Sequence, residues 1–257
     1  MKYFVAVLPF VFVACSQNIN QSQIFAASSS GIVNGETVKS SDPLAKHLVA
    51  ITDNKWENCT GTLIAKNLVL TAGHCETAGT AMYVAFGLEV SENNLKKVDR
   101  RLVTNYRLIP GRQEAANDQT DTKDLMIVEF EGGLPAGYEP AEFLQDSSLL
   151  KNEAMVVIVG YGVTDGKKQT GDGILRKVQV PIAEADYSKT EAKTNESKRG
   201  SCQIDSGGPG FLNANGKFYL WGVVSRGDEN CEEYGVYTKV APYKDWVDSV
   251  LKDLATP

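Results

Sequence analysis

The sequence has few histidines and carries more acidic than basic residues. Its 257 residues include only two histidines, and no two of its cysteines are spaced as CxxC. A zinc site built from cysteine and histidine is therefore not indicated. The formal net charge is −6, which argues against a nucleic-acid partner, because such a partner requires a basic face.

Several longer patterns are also missing. The dinucleotide-binding pattern GxGxxG does not occur, since "GYG" at 160–162 lacks the third glycine. We find no repeat of solenoid period. After the N-terminal segment, no apolar run is long enough to span a membrane. We therefore expect neither a cofactor nor a metal.

The chain begins with a short apolar segment. Met1 and Lys2 precede "YFVAVLPFVFVA" at 3–14, which is too short for a membrane span and is typical of a secretory signal. The stretch "FVAC" resembles a bacterial lipoprotein signal, in which Cys15 would be lipidated. The alternative is an ordinary secretory signal cut nearby. We predict a signal peptide over 1–15 and a polar linker or propeptide over 16–31.

The cysteine count also favours export. Of five cysteines, four remain if Cys15 is lipidated or removed. An even set in an exported protein indicates disulfides. Spacing alone allows three pairings of Cys59, Cys75, Cys202 and Cys231.

Short runs of Val, Ile, Leu and Tyr recur after residue 32, separated by Gly, Asn, Asp and Pro. Many short strands with turn signals between them predict an all-β sandwich or barrels. Only the tail "APYKDWVDSVLKDL" at 241–254 has the periodicity of a helix. The apolar residues on its one face are Tyr243, Trp246, Val247, Val250 and Leu254.

The two histidines have different surroundings. His47 lies in an apolar, strand-like run without an acidic or thiol partner nearby, which favours a structural role. His74 lies in "LTAGHC" at the end of a strand-like run. A histidine there is a candidate general base, because its ordinary pKa is near neutrality. Taken alone, the motif is equally compatible with a turn held by a disulfide.

Three motifs follow one another along the chain. They are "VLTAGHC" at 69–75, "DLMIV" at 124–128 and "DSGGP" at 205–209. In this order they resemble the chymotrypsin-type (trypsin-like) serine proteases, whose catalytic residues run His, Asp, Ser. "IVNGE" at 32–36 resembles the mature N-terminus of that family, and "WGVVSRG" at 221–227 a wall of its substrate pocket. The resemblance covers 32–254.

The resemblance implies an all-β fold of two packed six-stranded Greek-key β-barrels with a C-terminal α-helix. Together with the N-terminal signal, it predicts a bacterial exported member of the family. It also pairs Cys59 with Cys75 and Cys202 with Cys231. The expected ranges are 32–257 for the protease domain, about 32–136 for the first barrel, about 137–241 for the second and about 242–254 for the helix.

The family pattern assigns the catalytic roles. His74 would be the general base, Asp124 its orienting partner and Ser206 the nucleophile. A serine hydroxyl is a poor nucleophile at neutral pH, so a histidine must take its proton. Asp118 and Asp121 are rivals of Asp124, but only Asp124 directly precedes the strand-like run "LMIVEF".

Ile204 departs from the family pattern. The resemblance places the oxyanion hole at the backbone N–H groups of Ile204 and Ser206, and the family carries glycine at the first of these positions. A branched Cβ disfavours a positive φ. We therefore expect Ile204 to slow a working protease. The alternative is a protease-like binding protein whose catalysis is impaired.

The resemblance further implies an inactive precursor. A cut before Ile32 would free an amine that folds inward and pairs with Asp205, whose buried carboxylate would otherwise be costly. Gly31 stands before the cut where an arginine or lysine is usual. A trypsin-like activating protease is therefore not expected.

The resemblance also identifies a specificity pocket. Its residues would be Gly200, Ser201, Ser225, Gly227 and Gly235. Gly200 would lie at the base, where trypsins carry aspartate, so we expect an uncharged pocket that prefers large apolar or aromatic side chains. Ser225 and Gly227 would pair with the substrate backbone. Arg226 replaces the usual tryptophan, which calls the neighbouring hydrophobic subsite into question.

The sequence therefore predicts an exported serine endopeptidase. It would be secreted or periplasmic, and held at the membrane by a lipid on Cys15 before activation if that residue is modified. Its expected partners are a protein or peptide substrate, a proteinaceous inhibitor and an activating protease, with no nucleic acid. We expect it to act as a monomer.

Overall fold

The computed structural model describes residues 32–55, 58–77, 79–114 and 119–254. The predicted signal peptide with Cys15, the linker over 16–31 and Asp118 lie outside the described residues. Within the described ranges, no helix combines the length and the apolar character that crossing a membrane requires.

The described ranges form thirteen strands, four short 3₁₀ helices and one α-helix. The strands are β1 (Glu36–Thr37), β2 (Leu48–Thr52), β3 (Asn58–Ala65), β4 (Leu68–Thr71), β5 (Tyr83–Phe86), β6 (Asp99–Leu108), β7 (Met126–Phe130), β8 (Met155–Gly160), β9 (Arg176–Glu184), β10 (Glu191–Asn195), β11 (Pro209–Ala214), β12 (Lys217–Gly227) and β13 (Tyr234–Lys239). The helices are the 3₁₀ turns Ala45–His47, Gly73–Cys75, Ser147–Leu149 and Ala241–Tyr243, and α1 (Lys244–Leu254).

The strands close into two antiparallel barrels. The first has the order β2-β3-β4-β7-β6-β5 and is closed by the pairing of β2 with β5. The second has the order β9-β10-β13-β12-β11-β8, is closed by the pairing of β8 with β9, and carries β1 as an extra edge strand on β9. The predicted pair of six-stranded barrels is confirmed. Closure leaves few unpaired strand edges, which suits strands as short as these.

The C-terminal helix packs on the first barrel. Val247 and Val250 are buried in a cluster formed mainly by first-barrel residues, and Trp246 and Leu254 pack against it. Pro242 lies in the 3₁₀ turn that leads into α1, where its fixed φ suits a helix start. The predicted C-terminal helix is confirmed, with its apolar face toward the core.

Two disulfides hold the loops that carry the candidate site. Cys59 of β3 is bonded to Cys75, next to His74. Cys202, in the loop before Ser206, is bonded to Cys231. Both pairings are those that the family resemblance implies.

Thr60 of β3 joins the two barrels at the site. Its backbone N–H donates to the carbonyl of Ser206 at 2.8 Å. Its hydroxyl donates to the carbonyl of Ile204 at 3.1 Å and accepts from the N–H of Tyr161 at 3.1 Å. A first-barrel strand therefore fixes the backbone of the second-barrel serine loop.

Candidate active site

The histidine and the aspartate of the site come from one end of the first barrel. β4 and β7 are antiparallel with Thr71 opposite Met126, so residues just after β4 and just before β7 meet. His74 Nδ1–H donates to Asp124 Oδ2 at 2.7 Å, and the His74 backbone N–H donates to Oδ1 at 2.9 Å. Since a carboxylate only accepts, Nδ1 carries the proton and the other ring nitrogen is left as an acceptor.

Asp124 is buried and receives a further hydrogen bond from the hydroxyl of Ser225, at 2.8 Å from Oδ2. Burial by itself raises the pKa of Asp124, but the hydrogen bonds from His74 and Ser225 outweigh it and lower the pKa overall. The carboxylate is therefore ionised at neutral pH. An ionised partner stabilises the imidazolium that forms when His74 takes a proton.

Ser206 and His74 face the same cleft. The cleft has a volume of about 390 Å³ and is lined by both residues, by Ile204 and by the Cys59–Cys75 disulfide. Ser206 lies in the loop before β11, so one barrel supplies the hydroxyl and the other the imidazole. The structure thus brings together the three residues that the sequence motifs single out.

Ile204 has a positive φ of 75°. It is the third residue of a tight turn in which the N–H of Asp205 donates to the carbonyl of Cys202 at 3.0 Å. A positive φ at this place is typical of a type II turn, which favours glycine. Ile204 therefore adopts the backbone conformation that a glycine would take there, at a conformational cost.

Asp205 is fully buried beneath the serine loop. Its carboxylate accepts hydrogen bonds from the N–H groups of Gly162 at 2.8 Å and Cys202 at 2.9 Å. Burial raises the pKa of Asp205 to about 7, despite these hydrogen bonds and the positive charge of Arg176. In the part of the chain that the structure describes, no cation forms an ion pair with it.

Arg112 lies beside Asp124, a contact that the sequence motifs do not reveal. Its Nε is 3.5 Å from Asp124 Oδ1. A Cβ at Gly73 would lie 2.4 Å from the Arg112 Cδ, so the glycine before His74 makes room for the arginine. In the sequence, this glycine was the available signal that a side chain approaches the backbone there.

We predict that Arg112→Gln lowers kcat/KM at pH 8 by about threefold, because its guanidinium lies beside Asp124 and helps to hold the carboxylate that orients His74. The measurement is kcat/KM at pH 8 in protein cut before Ile32. Arg107→Gln is the matched control, because Arg107 is exposed and bonds Asn105 instead. Equal kcat/KM values for Arg112→Gln and the wild type contradict the prediction.

Arg226 occupies the position where the family carries tryptophan. Its guanidinium forms two hydrogen bonds to the buried carboxylate of Glu191, at 2.9 and 2.8 Å, and a third to the carbonyl of Gln119 at 2.8 Å. Paired fork-to-fork in this way, the guanidinium is held rigidly. A charged pair therefore lies where a hydrophobic subsite is usual.

A carboxylate lies where the family resemblance led us to expect an uncharged pocket base, so that expectation is corrected. The carboxylate of Glu196 lies between Gly200 and Gly235. A Cβ added at Gly200 would be 2.2 Å from its Oε2, and one added at Gly235 would be 2.4 Å from its Oε1. Ser201 donates to the same carboxylate through its N–H at 2.7 Å and its hydroxyl at 2.8 Å. Glu196 does not stand at any of the positions that the resemblance assigns to the pocket, and its side chain comes from the loop after β10.

The remaining candidates have structural surroundings. His47 Nδ1 lies 2.9 Å from the carbonyl of Glu139, away from the cleft. Asp121, a rival for the role of Asp124, accepts from the hydroxyl of Ser188 at 2.7 Å and the N–H of Thr190 at 2.9 Å. Its carboxylate therefore organises the loop before β10.

One group of possible metal ligands lies close together within the described ranges, namely Cys59, His74 and Cys75. Both sulfurs belong to a disulfide. A disulfide sulfur is not the thiolate that binds metals. The group therefore does not indicate a metal centre.

A histidine held by a buried carboxylate, beside a serine in the seam of two antiparallel barrels, is typical of serine proteases. A family model described as "Trypsin" matches residues 32–247. The chain belongs to the trypsin family and is a serine protease, a hydrolase.

Relatives of known name extend the comparison. "Venom plasminogen activator LV-PA" of Lachesis muta muta is 30% identical over 221 residues, 80% of this chain and 82% of its own. "Snake venom serine proteinase 14" of Crotalus adamanteus is 28% identical over 218 residues, which are 79% of this chain and 81% of the relative. "Kallikrein-11" of Homo sapiens is 27% identical over 255 residues, which are 90% of this chain and 86% of the relative. These relatives are from snakes and a mammal, so they support the family and not the expected bacterial origin.

Proposed function

We propose that the chain is an exported serine endopeptidase that acts through Ser206, His74 and Asp124. The observation that carries the proposal is the oriented imidazole: two hydrogen bonds from His74 to Asp124 leave its second ring nitrogen as an acceptor, and His74 and Ser206 line one cleft. The supporting comparisons are with proteins named as proteases or activators. They give no support to the alternative of an inactive binding protein.

The proposed reaction has two halves. Ser206 Oγ attacks the carbonyl carbon of the scissile peptide bond while His74 takes the hydroxyl proton, and the oxyanion is met by the N–H groups of Ile204 and Ser206. His74 then gives the proton to the leaving amine, and an acyl-enzyme remains. Water, deprotonated by His74, hydrolyses the ester and restores the hydroxyl of Ser206.

The bound substrate would lie along β12. The last pairing of β12 with β11 is Val223 with Pro209, whereas β12 continues to Gly227 on its pairing with β13. From Ser225 to Gly227, one edge of β12 has no β11 partner. An extended peptide could add there as a further strand, bound through hydrogen bonds to its backbone.

Activation by a cut before Ile32 forms the second part of the proposal. Ile32 is fully buried in the core cluster of the second barrel, and Val33 bridges Gly200 in the loop that leads to the serine. An ammonium freed at Ile32 would supply the cation that the buried carboxylate of Asp205 lacks. The activating protease would accept Gly31 before the cut.

Export is the third part. Two relatives are named as venom proteins, and both disulfides suit an oxidising compartment. The lipid on Cys15, which would anchor the precursor until the cut released it, is an extension of the same proposal. Mass spectrometry of the natural protein tests both steps. A lipidated Cys15 in the precursor and Ile32 at the mature N-terminus are expected, and any other mature N-terminus contradicts the activation step.

A fluorophosphonate probe tests the catalytic assignment. Protein cut before Ile32 should be labelled, and Ser206→Ala should not. His74→Ala should lower the labelling rate by about 10⁴-fold or more, because the hydroxyl loses its base. Ser148→Ala, which alters an exposed serine bonded to Asp146, is the matched control and should label normally. Absence of labelling in the cut wild type contradicts the proposal.

A further inference from the structure

Glu196 is a fully buried carboxylate whose hydrogen-bond donors are all neutral. Its Oε1 accepts from the hydroxyls of Thr194 at 2.7 Å and Tyr237 at 2.8 Å. Its Oε2 accepts from the N–H and the hydroxyl of Ser201, at 2.7 and 2.8 Å. Among the described residues, no lysine, arginine or histidine forms an ion pair with it.

The carboxylate lies inside the walls of the specificity pocket. It occupies the space that side chains at Gly200 and Gly235 would need. Gly235 is paired with Gly227 at the end of β12, two residues from Ser225, whose hydroxyl bonds Asp124. The strand that receives the substrate backbone therefore runs from the catalytic residues to the neighbourhood of Glu196.

A buried carboxylate without a cation is unfavourable, and burial raises the pKa of Glu196 despite four hydrogen bonds. Buried charges in folded proteins are generally paired. Two of the donors here, Ser201 Oγ and Tyr237 OH, are hydroxyls 3.3 Å apart, and each can also accept. A guanidinium or ammonium arriving from the pocket would meet one full negative charge and two hydroxyl oxygens.

We propose that Glu196 is the specificity-determining residue of the pocket and that the protease cleaves after arginine or lysine. The inference rests on the proposed function and replaces the apolar preference expected from Gly200. Glycine at 200 and 235 is then required by the Glu196 carboxylate, which takes the space of both missing side chains. The charge at the pocket base is supplied from the loop after β10.

A peptide series tests the inference in protein cut before Ile32. The peptides differ only in the residue before the scissile bond, which is Arg, Lys, Phe or Ala. We expect kcat/KM for Arg and Lys to exceed that for Phe by about 10²-fold, as for loss of one partner from a buried charge pair. Glu196→Gln should lower kcat/KM for Arg and Lys by a similar factor and change that for Phe by only a few-fold.

Glu229→Gln is the matched control. Glu229 is an exposed acid close to the pocket in sequence, so its replacement removes one negative charge outside the base. It should leave the order of the four peptides unchanged. An equal loss for Glu229→Gln and Glu196→Gln contradicts a specific role for Glu196.

Benzamidine, an aromatic amidine, supplies a readout that needs neither turnover nor the variant. Calorimetry on cut Ser206→Ala protein should show binding, and Glu196→Gln in the same background should weaken it about 10²-fold. If Glu196→Gln does not fold, failure of benzamidine to bind the cut Ser206→Ala protein alone overturns the inference.

Fluorophosphonate labelling separates this inference from the proposed function. Labelled protein that prefers Phe over Arg and Lys retains the function and overturns the role of Glu196. Unlabelled protein that still binds benzamidine retains the pocket assignment and overturns the function.

Discussion

Asp205→Asn is expected to stabilise the uncut protein at pH 8 and to lower the activity of the cut protein by about 10²-fold or more. In the uncut chain the carboxylate is buried with two N–H donors and no paired cation among the described residues. An amide of nearly the same shape removes the cost of burying that charge. The introduced NH₂ group faces one of the two N–H donors, at a cost of about 1–3 kcal/mol. The net gain in unfolding free energy is therefore smaller than the cost of burying the charge.

The pH dependence identifies the cause. The folded pKa of Asp205 is about 7, raised from 3.8, so the folded state holds this proton more tightly than the unfolded state. The stability that this group contributes is fully present below pH 4 and is lost as the pH rises to about 7. The total loss is about 4 kcal/mol, from about three pKa units at about 1.4 kcal/mol each.

Denaturant unfolding between pH 4 and 8 measures this effect, with Ser206→Ala in the background to prevent self-cleavage. The fall in unfolding free energy between pH 4 and 7 should be much smaller in Asp205→Asn than in the wild type. Asp186→Asn is the control, because the side chain of Asp186 is 99% exposed. Parallel curves for Asp205→Asn and the wild type contradict the prediction.

The cut protein should respond in the opposite sense. There the proposed Ile32 ammonium needs the carboxylate, and removing one partner of a buried ion pair costs about 3–5 kcal/mol. The serine loop would lose its anchor, and fluorophosphonate labelling should fall by about 10²-fold or more. Full labelling of cut Asp205→Asn would mean that the pair does not form the active loop.

The sequence predicted the barrels because their strands are short, apolar and separated by turn residues. It predicted the meeting of His74 with Asp124 only through the family motifs. The structure adds the local reason, which is the pairing of β4 with β7. The helix was predictable from periodicity alone, since Val247 and Val250 follow a helical spacing and are buried.

The side chains that reach the site from outside the motifs were not predictable. Arg112 contacts Asp124 across about a dozen residues of chain, and Glu196 fills the space beside Gly200 and Gly235 from a preceding loop. In both cases a glycine indicated space: Gly73 in the histidine motif and Gly200 shortly before the serine motif. A pattern of spacings shows where a side chain is missing, but not which distant side chain enters the gap.

Ile204→Gly is expected to raise kcat by about tenfold. The φ of 75° at Ile204 costs about 1–3 kcal/mol for a residue that is not glycine, and a branched Cβ makes it less favourable still. The disulfide at Cys202 and the hydrogen bond from Thr60 to the Ile204 carbonyl hold the backbone in this unfavourable conformation. Rotation of the Gln203–Ile204 peptide would relieve the strain and turn an oxyanion donor away, so the active arrangement would be only partly populated.

Ile204→Ala separates the backbone effect from the loss of the side chain that lines the cleft. Alanine keeps a Cβ and therefore most of the cost of a positive φ, whereas glycine does not. The expected order of kcat is glycine first, with alanine close to the wild type. Affinity for a peptidyl trifluoromethyl ketone, whose oxyanion occupies the hole, should follow the same order. An equal rise in kcat for Ile204→Gly and Ile204→Ala would show that the isoleucine side chain restricts access to the cleft. An unchanged or lower kcat for Ile204→Gly would show that Ile204 does not impair the oxyanion hole.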